Sequence, residues 1–122
     1  MMIILGRLEI RIMDLYEILI KKWIRFMFSQ GKNINYKSHA YGLKHSCESD
    51  IGRYVSEDTM KKAFIEEGYK CMPDIRGWSF NISGKLTLKK SEKFKKIFKE
   101  EIEKLKSENE DYFMKIGEEY QG

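Results

Sequence analysis

Apolar side chains recur at helical spacing between Leu15 and Met27, and they predict a helix that is central to the core. Five fall near one face and three more widen it: Leu15, Ile18, Leu19, Trp23 and Phe26, then Tyr16, Ile20 and Met27. Asp14 precedes the run as a candidate N-cap, and Gly31 follows it where a left-handed C-terminal residue is expected. The pattern predicts a core helix over residues 15–29.

Serine and glycine positions predict two shorter helices in the middle of the chain. Ser38 and Gly52 bracket a helix over residues 39–50, Ser56 caps the next helix, and Gly68 sits where that helix should stop. The third helix has carboxylates at its positive end and an inward i, i+3, i+4 set: Glu57 and Asp58, then Met60, Ala63 and Phe64.

Alternation between residues 78 and 82 predicts a strand with one buried face. Its apolar and polar members are Trp78, Phe80 and Ile82 against Ser79 and Asn81. With the turn-like "PDIRG" before it, this strand completes a β-hairpin over residues 69–82. The segment "LEIRI" at residues 8–12 also alternates and predicts a strand. An alternative start at Met13 would make residues 1–12 an upstream extension.

The last third of the sequence predicts a long lysine-rich helix that breaks near Ser107. Its apolar stripe, and the stripe where the helix resumes, are Phe94, Ile97, Phe98, Ile102 and Leu105, then Tyr112, Phe113 and Ile116. We therefore expect one mostly helical α+β domain over residues 1–122. Residues 14–84 form a winged helix-turn-helix-like core of three helices and a hairpin, and residues 85–122 form a C-terminal helical arm with an acidic tail.

Charge is unevenly distributed along the chain. The net charge is +4, with 34% charged and 42% hydrophobic residues, which indicates a folded domain with a hydrated surface. Residues 85–106 are rich in lysine, whereas residues 107–122 are rich in glutamate and aspartate. A basic block followed by an acidic tail fits a nucleic-acid partner, a protein partner or internal charge compensation.

The cysteine content and the apolar opening indicate the compartment. Cys47 and Cys71 are too few for a disulfide framework, and both are expected to be buried thiols. The opening "MMIIL" is far too short for a signal sequence or a membrane span. We expect a cytoplasmic protein without a membrane partner.

Lysines on the third helix and around the hairpin are the candidate nucleic-acid contacts. In a winged helix, the third helix enters a groove and the hairpin touches the backbone. The candidates are Lys61 and Lys62 on the helix, Arg76 on the hairpin, and Lys85, Lys89 and Lys90 behind it. Since the third helix has no Arg, Asn or Gln, backbone contacts are expected rather than base reading. The alternative is an ordinary α+β domain with solvated charged faces.

A second candidate group lies on the second helix. Tyr41 and His45 are i, i+4 neighbours with Lys44 beside them, so the three side chains could grip a phosphate or an acidic partner surface. The favoured alternative places Tyr41 in the core and has His45 hydrogen-bond a backbone carbonyl.

The sequence argues against catalysis and against a metal or cofactor. His39 and His45 fall on different helix faces, and no C-x-x-C accompanies Cys47 and Cys71. The "PD" pair at Pro73 is not followed by the Asp/Glu-x-Lys triplet of restriction-type nucleases, and no orienting acid or phosphate loop is visible. A non-enzymatic protein is expected.

The middle of the chain resembles a class of small accessory proteins carried by phages, plasmids and conjugative elements. The residues of the recurring block are Tyr41, Gly42, Leu43, Lys44, His45, Glu48, Gly52, Tyr54, Val55, Ser56, Phe64, Gly68, Tyr69, Phe80, Asn81, Ile82 and Ser83. The resemblance implies a mobile-element protein that binds nucleic acid, or one that binds and blocks a host defence nuclease complex as anti-CRISPR inhibitors do. Self-association through the C-terminal arm would give a homodimer.

Overall fold

A computed structural model of the chain describes residues 2–5 and 8–107. Their order is β1 (Met2–Leu5), β2 (Leu8–Arg11), α1 (Ile12–Met27), β3 (Ser29–His39), α2 (Ala40–Ile51), α3 (Glu57–Glu66), β4 (Cys71–Asp74), β5 (Gly77–Ser83), α4 (Leu88–Ile97) and α5 (99–107). β1 and β2 pair as an antiparallel hairpin, and a separate antiparallel sheet has the order β3-β5-β4. The described residues thus form a mostly helical α+β fold with five helices, as the sequence predicts at this level.

The first helix is longer at its N-terminus than predicted. α1 begins directly after β2, with Arg11 at the N-cap and no side-chain cap, so Asp14 lies in the first turn. It ends at Met27, and Gly31 does not cap it. The predicted apolar face is nevertheless correct in its main residues: Leu15, Leu19 and Trp23 are fully buried.

Strand β3 is absent from the sequence-based prediction, which treats residues 30–38 as a connection. It pairs antiparallel with β5 through Ser29 and Gln30 at one end and His39 at the other, with two register shifts between them. Because of these irregularities, the sequence of β3 lacks the apolar–polar alternation that predicts a strand. Ser38 therefore lies inside β3, and His39 takes the N-cap of α2 without a side-chain hydrogen bond.

The central strand β5 is buried on both faces, which corrects the prediction of one buried face. Ser79 and Asn81 are as inaccessible as Phe80 and Ile82. Two hydrogen bonds compensate for the burial of the Asn81 amide. Its Nδ2 donates to the Gly31 carbonyl at 3.0 Å, and its Oδ1 accepts from the Lys70 N–H at 2.7 Å. One amide thus ties β5 to the irregular part of β3 and to the segment before β4.

The C-terminus of α2 and the N-terminus of α3 follow the predicted local rules. Gly52 closes α2 in the left-handed conformation at φ 76°, and the Ser56 hydroxyl accepts from the Thr59 N–H at 3.1 Å. Met60, Ala63 and Phe64 are buried as expected, and Phe64 stacks on Phe80 with ring centroids 4.3 Å apart. The stacked pair joins α3 to the sheet.

The predicted long C-terminal helix is two helices. α4 is capped by the Thr87 hydroxyl, which accepts from the Lys90 N–H, and it ends at Ile97, with Phe98 as its C-cap, before α5 begins. Phe94 and Leu105 are fully buried as predicted, but Ile97 is 54% exposed, so its predicted place in the buried apolar stripe is wrong. The predicted break near Ser107 and the helix beyond it lie outside the described residues.

Among the described helices, none combines the length and the apolar character that crossing a membrane requires.

Candidate nucleic-acid interface

Lys44 is the candidate whose position differs most from expectation. It is only 6% exposed. Its Nζ lies 4.7 Å from the ring centroid of Tyr54, 5.5 Å from that of Tyr41, and 3.4 Å from a carboxylate oxygen of Glu48. Two aromatic faces and one carboxylate compensate for the water that the ammonium group has lost. Lys44 is therefore not free to bind a phosphate directly.

Glu48 stabilises both the Lys44 cluster and the turn after α2. Partial burial raises the pKa of Glu48, but the Val55 N–H and the Lys44 ammonium lower it by more, so the net pKa falls below its ordinary value. The Val55 N–H donates to the same carboxylate at 3.4 Å. The carboxylate consequently remains charged beside Lys44.

Tyr41 and His45 point outward, which makes the favoured packing interpretation wrong for Tyr41. Tyr41 is 56% exposed, and its ring packs edge to face against that of His45, with ring centroids 4.5 Å apart. His45 Nδ1 lies 3.4 Å from a Glu48 oxygen. The two rings form an exposed aromatic step on α2, one helical turn apart.

The two lysines of α3 are already engaged within the fold. Lys61 Nζ lies 3.3 Å from the ring centroid of Trp78 on β5, so its charge holds α3 against the hairpin. Lys62 is exposed and lies 3.8 Å from Glu66, one turn along the helix. The predicted recognition helix thus has little uncompensated positive charge.

Of the three candidate lysines that follow β5, the Lys90 ammonium is hydrogen-bonded to other described residues, whereas those of Lys85 and Lys89 are not. Lys90 Nζ donates to the carbonyls of Met27 and Lys85 at 3.1 and 3.0 Å, which ties α4 to the end of α1. Lys85 and Lys89 are exposed, and neither has an ion-pair partner within the part of the chain that is described.

Arg76 is exposed at the turn between β4 and β5, where one local and one long-range hydrogen bond hold it in place. Its backbone N–H donates to Asp74 Oδ1 at 2.7 Å, and its Nη2 reaches the Tyr36 carbonyl at 3.4 Å. The second Asp74 oxygen lies 3.1 Å from His39 Nε2. The Arg76 N–H and then His39 lower the pKa of Asp74. The carboxylate thus joins the hairpin turn to the end of β3.

The sequence missed two contributors to this face, Lys37 and Leu86. Together with Ser38, Tyr41 and Arg76 they line an open cavity of about 460 Å³ between the β3–α2 junction and the hairpin. Leu86 also borders a second cavity of about 460 Å³. The only sequence signal for Lys37 was its place beside the predicted helix start, and none singled out Leu86.

The two cysteines and the two histidines are buried, partly buried or paired within the fold. Cys47 is fully buried and Cys71 is partly buried; both are free thiols, and burial raises the pKa of each. In the described ranges, no group of three or more His, Cys, Asp and Glu side chains is arranged to hold a metal ion. His39 and His45 have separate partners, Asp74 and Glu48.

Comparisons with protein-family models, with curated proteins and with solved structures gave no match to this chain.

Proposed function

We propose that this chain is a non-enzymatic, winged-helix-like protein that binds nucleic acid through a basic surface. The order α1–β3–α2–α3–β4–β5 supports the fold assignment, because a winged helix has three helices, a strand after the first helix, and a C-terminal hairpin. The strand order β3-β5-β4 adds further support, since the early strand pairs with the second strand of the hairpin.

The exposed cations around the hairpin carry the functional proposal. Arg76, Lys85 and Lys89 are exposed and lack carboxylate partners among the described residues, whereas Lys61 and Lys62 are engaged. Free surface cations gain most from contact with phosphates, because no intramolecular pair has to break. The hairpin and the segment after it therefore form the contact surface, rather than α3.

Salt-dependent binding tests this proposal. Fluorescence anisotropy is measured with a labelled oligonucleotide, single-stranded and as a duplex, over a range of salt concentrations. We expect the affinity to fall linearly on logarithmic axes. The triple variant Arg76→Gln/Lys85→Gln/Lys89→Gln should reduce that slope by roughly 2 to 3, because each lost phosphate contact removes about 0.7–0.9.

A charge-matched variant separates a specific surface from net charge. Lys32→Gln/Lys70→Gln/Lys104→Gln removes three exposed lysines elsewhere and lowers the net charge from +4 to +1, as the first triple variant does. It should retain most of the slope. Equal losses in both variants, or no binding at low salt, would refute the proposal. Light scattering on the same samples tests the homodimer expected from the C-terminal arm.

An inhibitor of a host defence nuclease complex is the second candidate function. Ile75 at the hairpin turn is fully exposed and Leu88 is 74% exposed, and exposed apolar side chains beside cations are typical of protein-binding surfaces. The resemblance to mobile-element proteins supports the same function. Expression in cells with active CRISPR interference should restore phage plating, and Ile75→Asp/Leu88→Asp should abolish that rescue. Unchanged interference across effector types would contradict it.

A further inference from the structure

Two cavities of equal size lie side by side along α2 and share Leu86. The first opens between Tyr41 and Arg76, and the second between His45 and Leu88; each has a volume of about 460 Å³. This volume falls within the usual range for small-molecule pockets. Tyr41 of the first cavity and His45 of the second are in edge-to-face contact, with ring centroids 4.5 Å apart, so the two cavities adjoin along α2.

The first cavity has the charge that a phosphate requires. Lys37 and Arg76 line it, together with Ser38. The Arg76 guanidinium is steadied by the Tyr36 carbonyl through Nη2, which leaves its other N–H groups available. The neighbouring carboxylate, Asp74, already accepts from His39 and from the Arg76 backbone. Guanidinium and ammonium groups together complement a phosphodiester.

The same cavity has an aromatic and apolar wall that a phosphate alone does not need. Tyr41 is 56% exposed and Leu86 is 38% exposed, and both border the space beside Arg76. Base faces stack on such side chains in proteins that bind single strands. In a duplex the base faces are covered by neighbouring base pairs, so this wall would have nothing to contact.

The second cavity presents hydroxyl groups suited to the edge of a base. Ser46 and Ser49 of α2 line it together with Thr87, Leu88 and His45. Hydroxyl groups donate and accept, so they accommodate any base edge. Asp50 also lines the cavity, but its oxygens accept from Trp23 and Ser91 within the fold.

We propose that the groove formed by these two cavities binds two successive nucleotides of an unpaired nucleic-acid strand. The phosphate lies between Lys37 and Arg76, one base stacks on Tyr41 against Leu86, and the next lies beside His45. This inference rests on the proposed nucleic-acid-binding function and specifies its ligand: a single strand, bound along α2 rather than by α3.

Three labelled probes test the ligand by fluorescence anisotropy: a mixed-sequence single strand, its duplex, and an abasic strand of equal length that keeps the phosphates. We expect the single strand to bind most tightly. Tyr41→Ala should weaken single-strand binding by about tenfold, from the loss of one stacked base, and leave the affinity for the abasic strand unchanged. Arg76→Gln should weaken binding of all three probes.

Tyr54→Ala is the matched control, because Tyr54 is 68% exposed, also covers Lys44, and borders neither cavity. It should change single-strand affinity by less than about twofold, since it removes no stacked base. Circular dichroism and chemical unfolding confirm that each variant is folded. Equal effects of the two tyrosine variants, or equal affinity for the single and abasic strands, would refute binding of an unpaired strand in the groove. Neither result would contradict the proposal that the basic surface binds nucleic acid. Absence of binding to every probe would overturn both.

Discussion

Trp23 donates its indole N–H to the carboxylate of Asp50 at 2.8 Å, deep inside the protein. Ser91 donates its hydroxyl to the other carboxylate oxygen. The three residues belong to α1, α2 and α4, which are far apart in sequence. A single buried carboxylate therefore fixes the relative positions of three helices, and its removal should destabilise the core.

Asp50→Asn should destabilise the protein by about 1–3 kcal/mol. The amide can accept from only one of its two donors, and its own NH₂ then faces the other donor in a buried site. Urea unfolding followed by tryptophan fluorescence measures the loss. Asp58→Asn is the control, because Asp58 is exposed on α3. A change as small in Asp50→Asn as in the control would contradict a structural role for the buried carboxylate.

A glycine within α2 and the glycine that caps it should respond to alanine in opposite directions. Gly52 has φ 76°, and a Cβ there would meet the Lys106 side chain, so Gly52→Ala should cost about 1–2 kcal/mol. Gly42 lies within the helix, and a Cβ there would meet nothing within 4 Å, so Gly42→Ala should stabilise by about 0.5–1 kcal/mol. Thermal and urea unfolding of both variants check the signs; the same sign for both would contradict the assigned ends of α2.

The features that sequence predicted correctly depend on neighbours along the chain. The Ser56 cap is satisfied within one turn, and Gly52 needs only the geometry of its own residue. The inward set of α3 follows from helical period alone, and Met60 and Phe64 are fully buried. Local rules are sufficient where the partner of a group lies three or four residues away.

The features that sequence could not give depend on distant partners. β3 exists because β5 supplies its hydrogen bonds, and its shifted register hides the period of a strand. Lys44 is buried because Tyr54, ten residues further on, covers it with an aromatic face. Lys37, Arg76 and Leu86 line one cavity although nearly fifty residues separate the first from the last. No short stretch of the sequence contains all three of these residues, so local patterns could not predict the cavity.

Cys47 should be unreactive until the protein unfolds. It is fully buried, and burial, reinforced by Asp50 and Glu48, raises its pKa well above the ordinary value, so the thiolate is scarce in the folded state. In a Cys71→Ser variant, labelling of Cys47 with a thiol reagent at pH 8 should follow the unfolding equilibrium and accelerate with urea. Rapid labelling of folded protein would contradict the buried position. The reciprocal Cys47→Ala variant reports Cys71, which is partly exposed.

Asp74 should contribute stability above its unfolded-state pKa and lose that contribution in acid. The Arg76 N–H and His39 lower its folded pKa below the unfolded value of about 3.9. Because the folded form holds its proton less tightly, the contribution is complete above about pH 5 and disappears as the pH falls through the folded pKa. Asp74→Asn should therefore be less stable than the native sequence at pH 6, and the difference should narrow towards pH 2.

A carbon-detected NMR titration of the Asp74 carboxyl gives the decisive measurement. We expect its pKa to lie below about 3.9 in the native sequence. In His39→Asn, the pKa should rise towards that value but remain below it, since the stronger influence, the Arg76 N–H, is retained. A native pKa at or above the unfolded value would mean that the hairpin turn and the end of β3 are not joined through this carboxylate. Arg76 would then have lost the local hydrogen bond that holds it at the groove.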